Sequence, residues 1–292
     1  MLRPHGLPPR LAEREDTLVM GILNVTPDSF SDGGEHDEPA EALAHARALL
    51  AAGAAIIDVG GESTRPGAER VDAAEELRRV LPVVGAIARD GVCVSVDTMR
   101  AEVAAAALEA GAMIVNDVSG GLADPEMPAL VARARTAGGT PPVMVAMHWR
   151  GHADVMSSLA DYDDIAVDVA SELAARVEAL TAAGVERRAI VADPGLGFAK
   201  RGGHDWDLLA RWETLDALGL PLLIGVSRKR SIASLTTADG APLDRDAVTA
   251  ALTTYSALRG AWCVRVHDVG PSVAGTAAVR ELARHRDGTA RT

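Results

Sequence analysis

Phenylalanine is nearly absent from this 292-residue chain: Phe30 and Phe198 are the only two. Each sits in a Gly/Pro-rich stretch, one between Gly21 and Gly34 and the other between Asp193 and Lys200. A core-building residue used twice, both times in such loops, is placed to touch something other than the core, which points to a ligand site built from loops. Cysteine is equally scarce. Cys93 and Cys263 lie inside apolar runs and read as buried strand thiols of a reducing compartment. No Cys/His cluster has zinc spacing. No apolar run is long enough to span a bilayer, and the segment through Thr17, rich in Arg, Pro and Glu, lacks the apolar stretch of a secretory leader. The expected location is the cytoplasm, without a membrane partner. Positive charge is in deficit too: a net charge of -12 argues against a nucleic-acid surface while leaving room for a local basic pocket.

What is present is alternation. Short Val/Ile-rich runs at 18–23, 54–59, 92–97, 112–117, 142–147, 188–193, 221–226 and 261–267 read as strands, and their continuous apolar character suits parallel strands covered on both faces. Helical patterns fill the gaps at 39–52, 71–89, 100–110, 126–137, 162–183, 205–218, 246–259 and 272–285. Gly53, Gly111, Gly184 and Gly219 fit helix C-terminal caps, and Pro82 is expected to kink the second helix. Eight such units in one chain of this length predict an α/β fold of the (β/α)₈ TIM-barrel type, with an open doubly wound sheet as the alternative. The expected organisation is an N-terminal extension over 1–17, one barrel over 18–286 and a tail over 287–292.

Strand after strand ends in polar side chains: Asn24, Asp58 with Glu62, Asp97, Asn116 with Asp117, His148, Asp193, Ser227, and Arg265 with His267. In a barrel these ends converge on the face that carries the active site. Asp97, Asn116 and Asp193 could read the edge of a heterocycle, since carboxylates accept from N–H groups and an amide can also donate. The competing reading is that each caps the following helix. Thr64 and Arg65 sit in Gly60-Gly61-Glu62-Ser63-Thr64-Arg65-Pro66-Gly67, a turning loop with donors for an anion; alone, it reads equally as a plain turn. Ser227-Arg228-Lys229-Arg230 opens a helix with three cations, an anion-attracting arrangement. Arg265 and His267 share a face near the strands where barrels often bind phosphate, which suits a diphosphate; His267 as a structural histidine stays open. Met147 could pack on a flat ring. His148 and Trp149 read as wall residues, and Trp206, Trp212, Trp262, Tyr162 and Tyr255 as packing.

These segments together resemble the dihydropteroate synthase family. From about Leu18 to Ala283 the chain carries, in the family's order, N-V-T-P-D-S-F-S-D-G-G, G-G-E-S-T-R-P-G, D-T, N-D-V-S-G, D-P-G-L-G-F-A-K, S-R-K and R-V-H-D-V. The resemblance implies an eight-stranded barrel, usually dimeric, and a transferase of folate biosynthesis. It implies condensation of 6-hydroxymethyl-7,8-dihydropterin diphosphate with 4-aminobenzoate to 7,8-dihydropteroate and diphosphate, by a dissociative SN1-like substitution that sulfonamides block. Carried over by motif, Asp97, Asn116, Asp193 and Lys229 would hold the pterin, with Arg265 stacked on it and reaching the diphosphate. Asn24, Arg265 and His267 would bind diphosphate, and Asn24 would also touch Mg²⁺. Phe30, Thr64, Arg65, Pro66 and Phe198 would shape the aminobenzoate pocket. Asp32 would face the developing cation, which makes Asp32, Lys229 and Arg265 the expected catalytic set.

After Lys229 the chain reads Arg230-Ser231-Ile232, where many members carry an aromatic or another large apolar residue at the position of Ser231 or Ile232. Two rivals share part of this pattern: a methyltetrahydrofolate methyltransferase, which has the pterin carboxylates but needs no diphosphate site, so that intact Ser63-Thr64-Arg65-Pro66-Gly67 and Ser227-Arg228-Lys229 argue against it, and a pterin-binding paralogue without synthase activity, which should have lost loop or cation residues that are all present here. The resemblance makes one prediction about drug response. Substitutions at Pro66 should weaken sulfonamide inhibition more than turnover, and equal losses in both assays would remove that loop from the drug-specific part of the pocket.

Overall fold

A computed structural model describes residues 1–26, 38–62, 71–152 and 154–286. The strands are β1 (Leu18–Asn24), β2 (Ile56–Gly60), β3 (Cys93–Asp97), β4 (Ile114–Asp117), β5 (Val143–Met147), β6 (Ile190–Asp193), β7 (Leu223–Ile224) and β8 (Cys263–Val266). All pair in parallel, in the order β6-β5-β4-β3-β2-β1-β8-β7. A parallel bridge between Ala192 and Leu222 joins the two ends, with the Ala192 N–H donating to the Pro221 carbonyl at 2.9 Å. Helices lie between successive strands, so the expected (β/α)₈ barrel is the fold, and the open-sheet alternative falls away.

Strand alternation divides the core in two. Val19, Leu23, Ile57, Val59, Val94, Val96, Val115 and Val264 point outward and pack against the helices. Leu18, Met20, Ile56, Cys93, Ile114, Val143, Val145, Val191, Leu223 and Cys263 point inward and fill the barrel floor. Both cysteines are buried free thiols of this inner layer. Above it the same inward parity delivers Asp58, Asp97, Asn116, Asp193 and Arg265, so the interior turns from apolar to polar toward the strands' C-terminal ends.

The N-terminal segment is part of this core rather than an appendage. Leu7 and Leu11 join the inner layer from outside the strands. The segment is pinned by the His5 N–H donating to the Arg188 carbonyl at 2.7 Å and by Asp16, which takes both Arg14 (2.7 Å) and Arg280 (3.0 Å). An open barrel floor would expose the inner leucines and isoleucines, and this plug covers them.

Two expected helices end differently. The pattern at 205–218 divides into His204–Ala210 and Trp212–Asp216. Arg211 leaves helical geometry there, its side chain drawn 2.6 Å from Asp164, while Trp212 turns into the core. The pattern at 126–137 stops at Arg133, before a turn containing Gly138 and Gly139. Helix Ala73–Arg89 runs on through Pro82. Among the described residues no helix is long and apolar enough to cross a membrane. Leu11→Ala should cost about 2–3 kcal/mol of stability by opening a cavity under the barrel. Urea unfolding with a lowered midpoint and unchanged slope would show it, and an unchanged midpoint would mean the plug is not part of the cooperative core.

Candidate active site

The polar upper layer centres on Arg265. Its Nε donates to Asp58 Oδ2 at 2.6 Å and its Nη2 donates to Asp97 Oδ2 at 2.6 Å. Asn116 Nδ2 donates to the same Asp58 oxygen at 3.0 Å. Sheet register explains the meeting: Asp58 stands opposite Ser95, and Asp97 opposite both Gly60 and Asn116, on the inward parity. Burial pulls the guanidinium down, but Asp58 and Asp97 more than offset it and hold Arg265 above its ordinary value. Burial pushes the Asp97 carboxyl up, opposed by Arg265. Neither Asp97 nor Asn116 caps a helix: the helix after β3 starts at Ala101, with Arg100 at its N-cap making no side-chain capping bond, and the turn after β4 is held by Asp117, which accepts from Ser119 and Gly121.

Asp193 closes β6. Its Oδ1 accepts from the Gly195 N–H at 2.7 Å, while Oδ2 lies 3.9 Å from where a Cβ on Gly225 would stand, facing the barrel interior. Burial holds this carboxyl above its usual range. The loop that follows requires its glycines. Gly195 has φ +65 and a Cβ there would meet the His148 carbonyl at 2.4 Å, and a Cβ on Gly197 would stand 2.8 Å from Lys229. The Lys229 stem therefore lies directly on the loop, with its Nζ 4.0 Å from the centre of the Phe198 ring, within cation–π range. Burial, with Arg265 adding to it, lowers the Lys229 amine to about 8.

A cavity of about 450 Å³ opens here, lined on one side by Asn24, Glu62, Asp97 and Arg265, and on the other by Phe198, Ser227, Lys229 and His267. Arg228, Arg230 and Arg245 complete its cationic rim. Arg228 adopts left-handed φ +57, a strained position for a branch-bearing residue, and is held bidentate by Asp246 at 2.8 Å. The Ser227 hydroxyl accepts from the His267 backbone N–H at 3.2 Å and shares a hydrogen bond of 2.9 Å with His267 Nδ1. Ile232 is fully buried and fills the apolar position after the cationic run.

Of the residues expected from sequence, Asn24, Asp97, Phe198, Lys229, Arg265 and His267 line this cavity. Asn116 reaches it through Asp58, and Asp193 flanks it. Met147 lines a second recess, of about 280 Å³, with Leu122, Trp149 and Glu172. Phe30, Asp32, Thr64, Arg65 and Pro66 lie outside the described residues. The stems of the segment that carries the last three are tied together, since Arg100 pairs with Glu62 at 2.8 Å, donates to the Val71 carbonyl and is backed by Glu76. Two residues at the site were given no role from sequence, where Asp58 read only as a polar strand end and Lys200 only as the last residue of a loop motif. Asp58 is fully buried and organises Arg265; its inward parity two residues before Gly60 is the signal that marks it. Lys200 is also buried, which nothing in a Gly-rich loop announces.

Among the described residues no cluster of three or more His, Cys, Asp or Glu could hold a metal ion. Asn24, at the lip of the cavity, offers a hard side-chain oxygen, which fits Mg²⁺ shared with substrate phosphates and water rather than caged by protein.

Acceptors deep in a barrel mouth, with cations around them, define a binding site for a planar nitrogen heterocycle bearing an anionic group. Comparison with known proteins agrees. Residues 20–267 match the family described as pterin binding enzyme. The chain is 52% identical over 260 residues to the dihydropteroate synthase of Mycobacterium leprae, covering 87% of this chain and 89% of that one. It is 43% identical over 266 residues to that of Bacillus subtilis, covering 91% and 88%. It is similar in structure to Xanthomonas albilineans dihydropteroate synthase with 4-aminobenzoic acid, at TM-score 0.82 and 40% identity over 92% of this chain and 94% of that one. It is similar also to the Yersinia pestis enzyme in a sulfonamide drug complex, at TM-score 0.84 and 39% identity over 97% and 98%. The chain belongs to the dihydropteroate synthase family of pterin-binding enzymes.

Asp58→Ala leaves Arg265 buried with half of its compensation. It should cost on the order of 3 kcal/mol of unfolding free energy, measured by urea titration. A loss below about 1 kcal/mol would mean that Asp97 alone neutralises the guanidinium.

Proposed function

We propose that this chain condenses 6-hydroxymethyl-7,8-dihydropterin diphosphate with 4-aminobenzoate, releasing diphosphate and 7,8-dihydropteroate in folate biosynthesis. The observation that carries it is the arrangement around Arg265: inward acceptors on several strands meet a cationic rim in one cavity. Relatives at 43–52% identity that bear the name dihydropteroate synthase support it.

The residues divide the work by depth. Asp97, Asn116 and Asp193 present acceptors and an amide to the pterin's N–H, NH₂ and carbonyl edge. Lys229 donates to the ring system from the Phe198 side. Arg265, held in a fixed plane by two carboxylates, covers the ring and extends its charge toward the diphosphate, with His267 and Asn24 beside it. Because these donors are already oriented, they stabilise the departing diphosphate without reorganising. The pterin CH₂–O bond breaks with its electron pair leaving on diphosphate. The resulting cation is spread over the pterin, and Asp32 would stabilise it as the family resemblance implies; the arylamine nitrogen then forms the C–N bond and releases its proton to solvent. Asn24 would help to hold a Mg²⁺, which would supply further charge neutralisation to the leaving group. Phe198, with Phe30, Thr64, Arg65 and Pro66, would wall the aminobenzoate side and orient its attack.

The chain is further proposed to act as a homodimer in the cytoplasm. Leu258 and Leu282 are exposed on helices Arg245–Leu258 and Val269–Arg286, which offers apolar side chains to self-association, and the two free thiols suit a reducing compartment.

Purified protein given dihydropterin diphosphate and Mg²⁺ should release diphosphate only when 4-aminobenzoate is added, and a sulfonamide should block the release. Pterin binding without aminobenzoate-dependent release would overturn the proposal in favour of a non-catalytic pterin-binding barrel. Asp193→Ala should abolish pterin binding in calorimetry, and an unchanged affinity would remove Asp193 from the pterin site.

A further inference from the structure

The loop after β6 is held by a polar chain that the condensation itself does not use. Lys200 is 5% exposed. Its Nζ donates to the Phe198 carbonyl at 3.0 Å and lies 3.2 Å from His148 Nδ1. On the other side of that ring, Nε2 lies 3.0 Å from Glu172 Oε2. A carboxylate accepts and an ammonium donates, so His148 is a neutral ring that accepts at Nδ1 and donates at Nε2. Burial agrees, lowering His148 to about 4, while the hydrogen bond from His148 and the Arg150 contact hold Glu172 down at about 2. Glu172 grips Arg150, whose guanidinium lies 3.8 Å over the Tyr162 ring. The Tyr162 hydroxyl then donates to the Ala199 carbonyl at 2.8 Å.

Two consecutive carbonyls, those of Phe198 and Ala199, are thus each fixed by a side chain. Ala199 is held at φ +46, a left-handed conformation that costs a non-glycine residue about 1–3 kcal/mol. Burying a lysine amine is also costly. Both costs fall on the one loop whose aromatic ring faces Lys229. The groups around the Lys200 amine are Asp205, Asp193, Lys229, Arg150 and His148, and burial brings the amine down to about 7. Charged or neutral, it still donates to the Phe198 carbonyl.

We infer that Lys200 is a positioning residue for the condensation. With Tyr162 it clamps the Phe198–Ala199 carbonyls and so sets the Phe198 ring against Lys229 on the arylamine side of the site. The inference rests on the proposed condensation for its kinetic consequence. It also has a readout independent of activity, because the chain contains two phenylalanines. Incorporated 4-fluorophenylalanine gives one fluorine signal for each, assignable with Phe198→Leu. Lys200→Met should shift or broaden the Phe198 signal. It should also raise KM for 4-aminobenzoate by about tenfold, with KM for the pterin diphosphate held within about twofold, as expected for a displaced orienting wall. Tyr162→Phe, which removes one hydroxyl, should change both readouts in the same direction, with KM rising about threefold. A folded Lys200→Met protein with an unmoved Phe198 signal, or with equal changes in both KM values, would overturn the assignment. If Lys200→Met does not fold, Tyr162→Phe decides, and an unmoved signal there overturns it. A wild-type protein that releases no diphosphate would sink the condensation alone, because the fluorine signals still test the clamp.

Discussion

A guanidinium held inside a barrel is the constraint on which the rest of the site depends. Arg265 could not sit on the inward face of β8 without Asp58 and Asp97, since an unpaired buried charge is far costlier than any contact it makes. Its two carboxylates come from neighbouring strands, and Asn116 braces one of them from a third strand. Four side chains on four parallel strands therefore fix one another. The geometry that neutralises the arginine is also the geometry that keeps its plane and charge aimed into the cavity. Stability and preorganisation are here the same set of hydrogen bonds.

The floor of the barrel makes that arrangement affordable. Below Arg265 the inward residues are apolar and close-packed, and the N-terminal segment covers them with Leu7 and Leu11. The inner layer is thus shielded from below, and the cavity with its cationic rim opens at the mouth. The low polarisability beneath the site lowers the Lys229 amine and raises the Asp193 carboxyl, both by burial first. The strained positions follow the same logic. Arg228 and Ala199, the non-glycine residues with left-handed φ among those described, flank Lys229 and Phe198 in the loops after β7 and β6. Strain of this kind persists only where surrounding contacts over-determine it: Asp246 does so for Arg228, and Tyr162 for Ala199.

The parts of the site differ in how they could be read from the chain. Asn24, Asp97, Asn116, Asp193 and Arg265 close apolar runs, and such endings on strand after strand exceed what helix capping alone requires, since capping needs no particular strands. Asp58 was visible as a strand-end acid, but its partner was not, because a sequence separation of 207 from Arg265 carries no record of which strands adjoin. Lys200 was harder still. A lysine after Gly-rich sequence ordinarily points to water, and its burial depends on His148 and Glu172 arriving from another loop and another helix. Tyr162 likewise read as packing, and its hydroxyl acquired a task only when the β6 loop passed beside it.

Local chemistry by itself determined the alternation of strands and helices, the closed parallel barrel that so many units require, the end of the barrel that would be polar, and the motif set that places the chain in its family. These follow from periodicity, capping residues and strand termini, each decided within a few residues of the chain. Only the tertiary structure decided which inward side chains share a level, how the N-terminal segment plugs the floor, and which carboxylates neutralise Arg265. It also decided how a buried lysine comes to hold a carbonyl beside Phe198. Those outcomes depend on sheet register and on contacts between residues far apart in sequence, whose energies exist only once the barrel has closed.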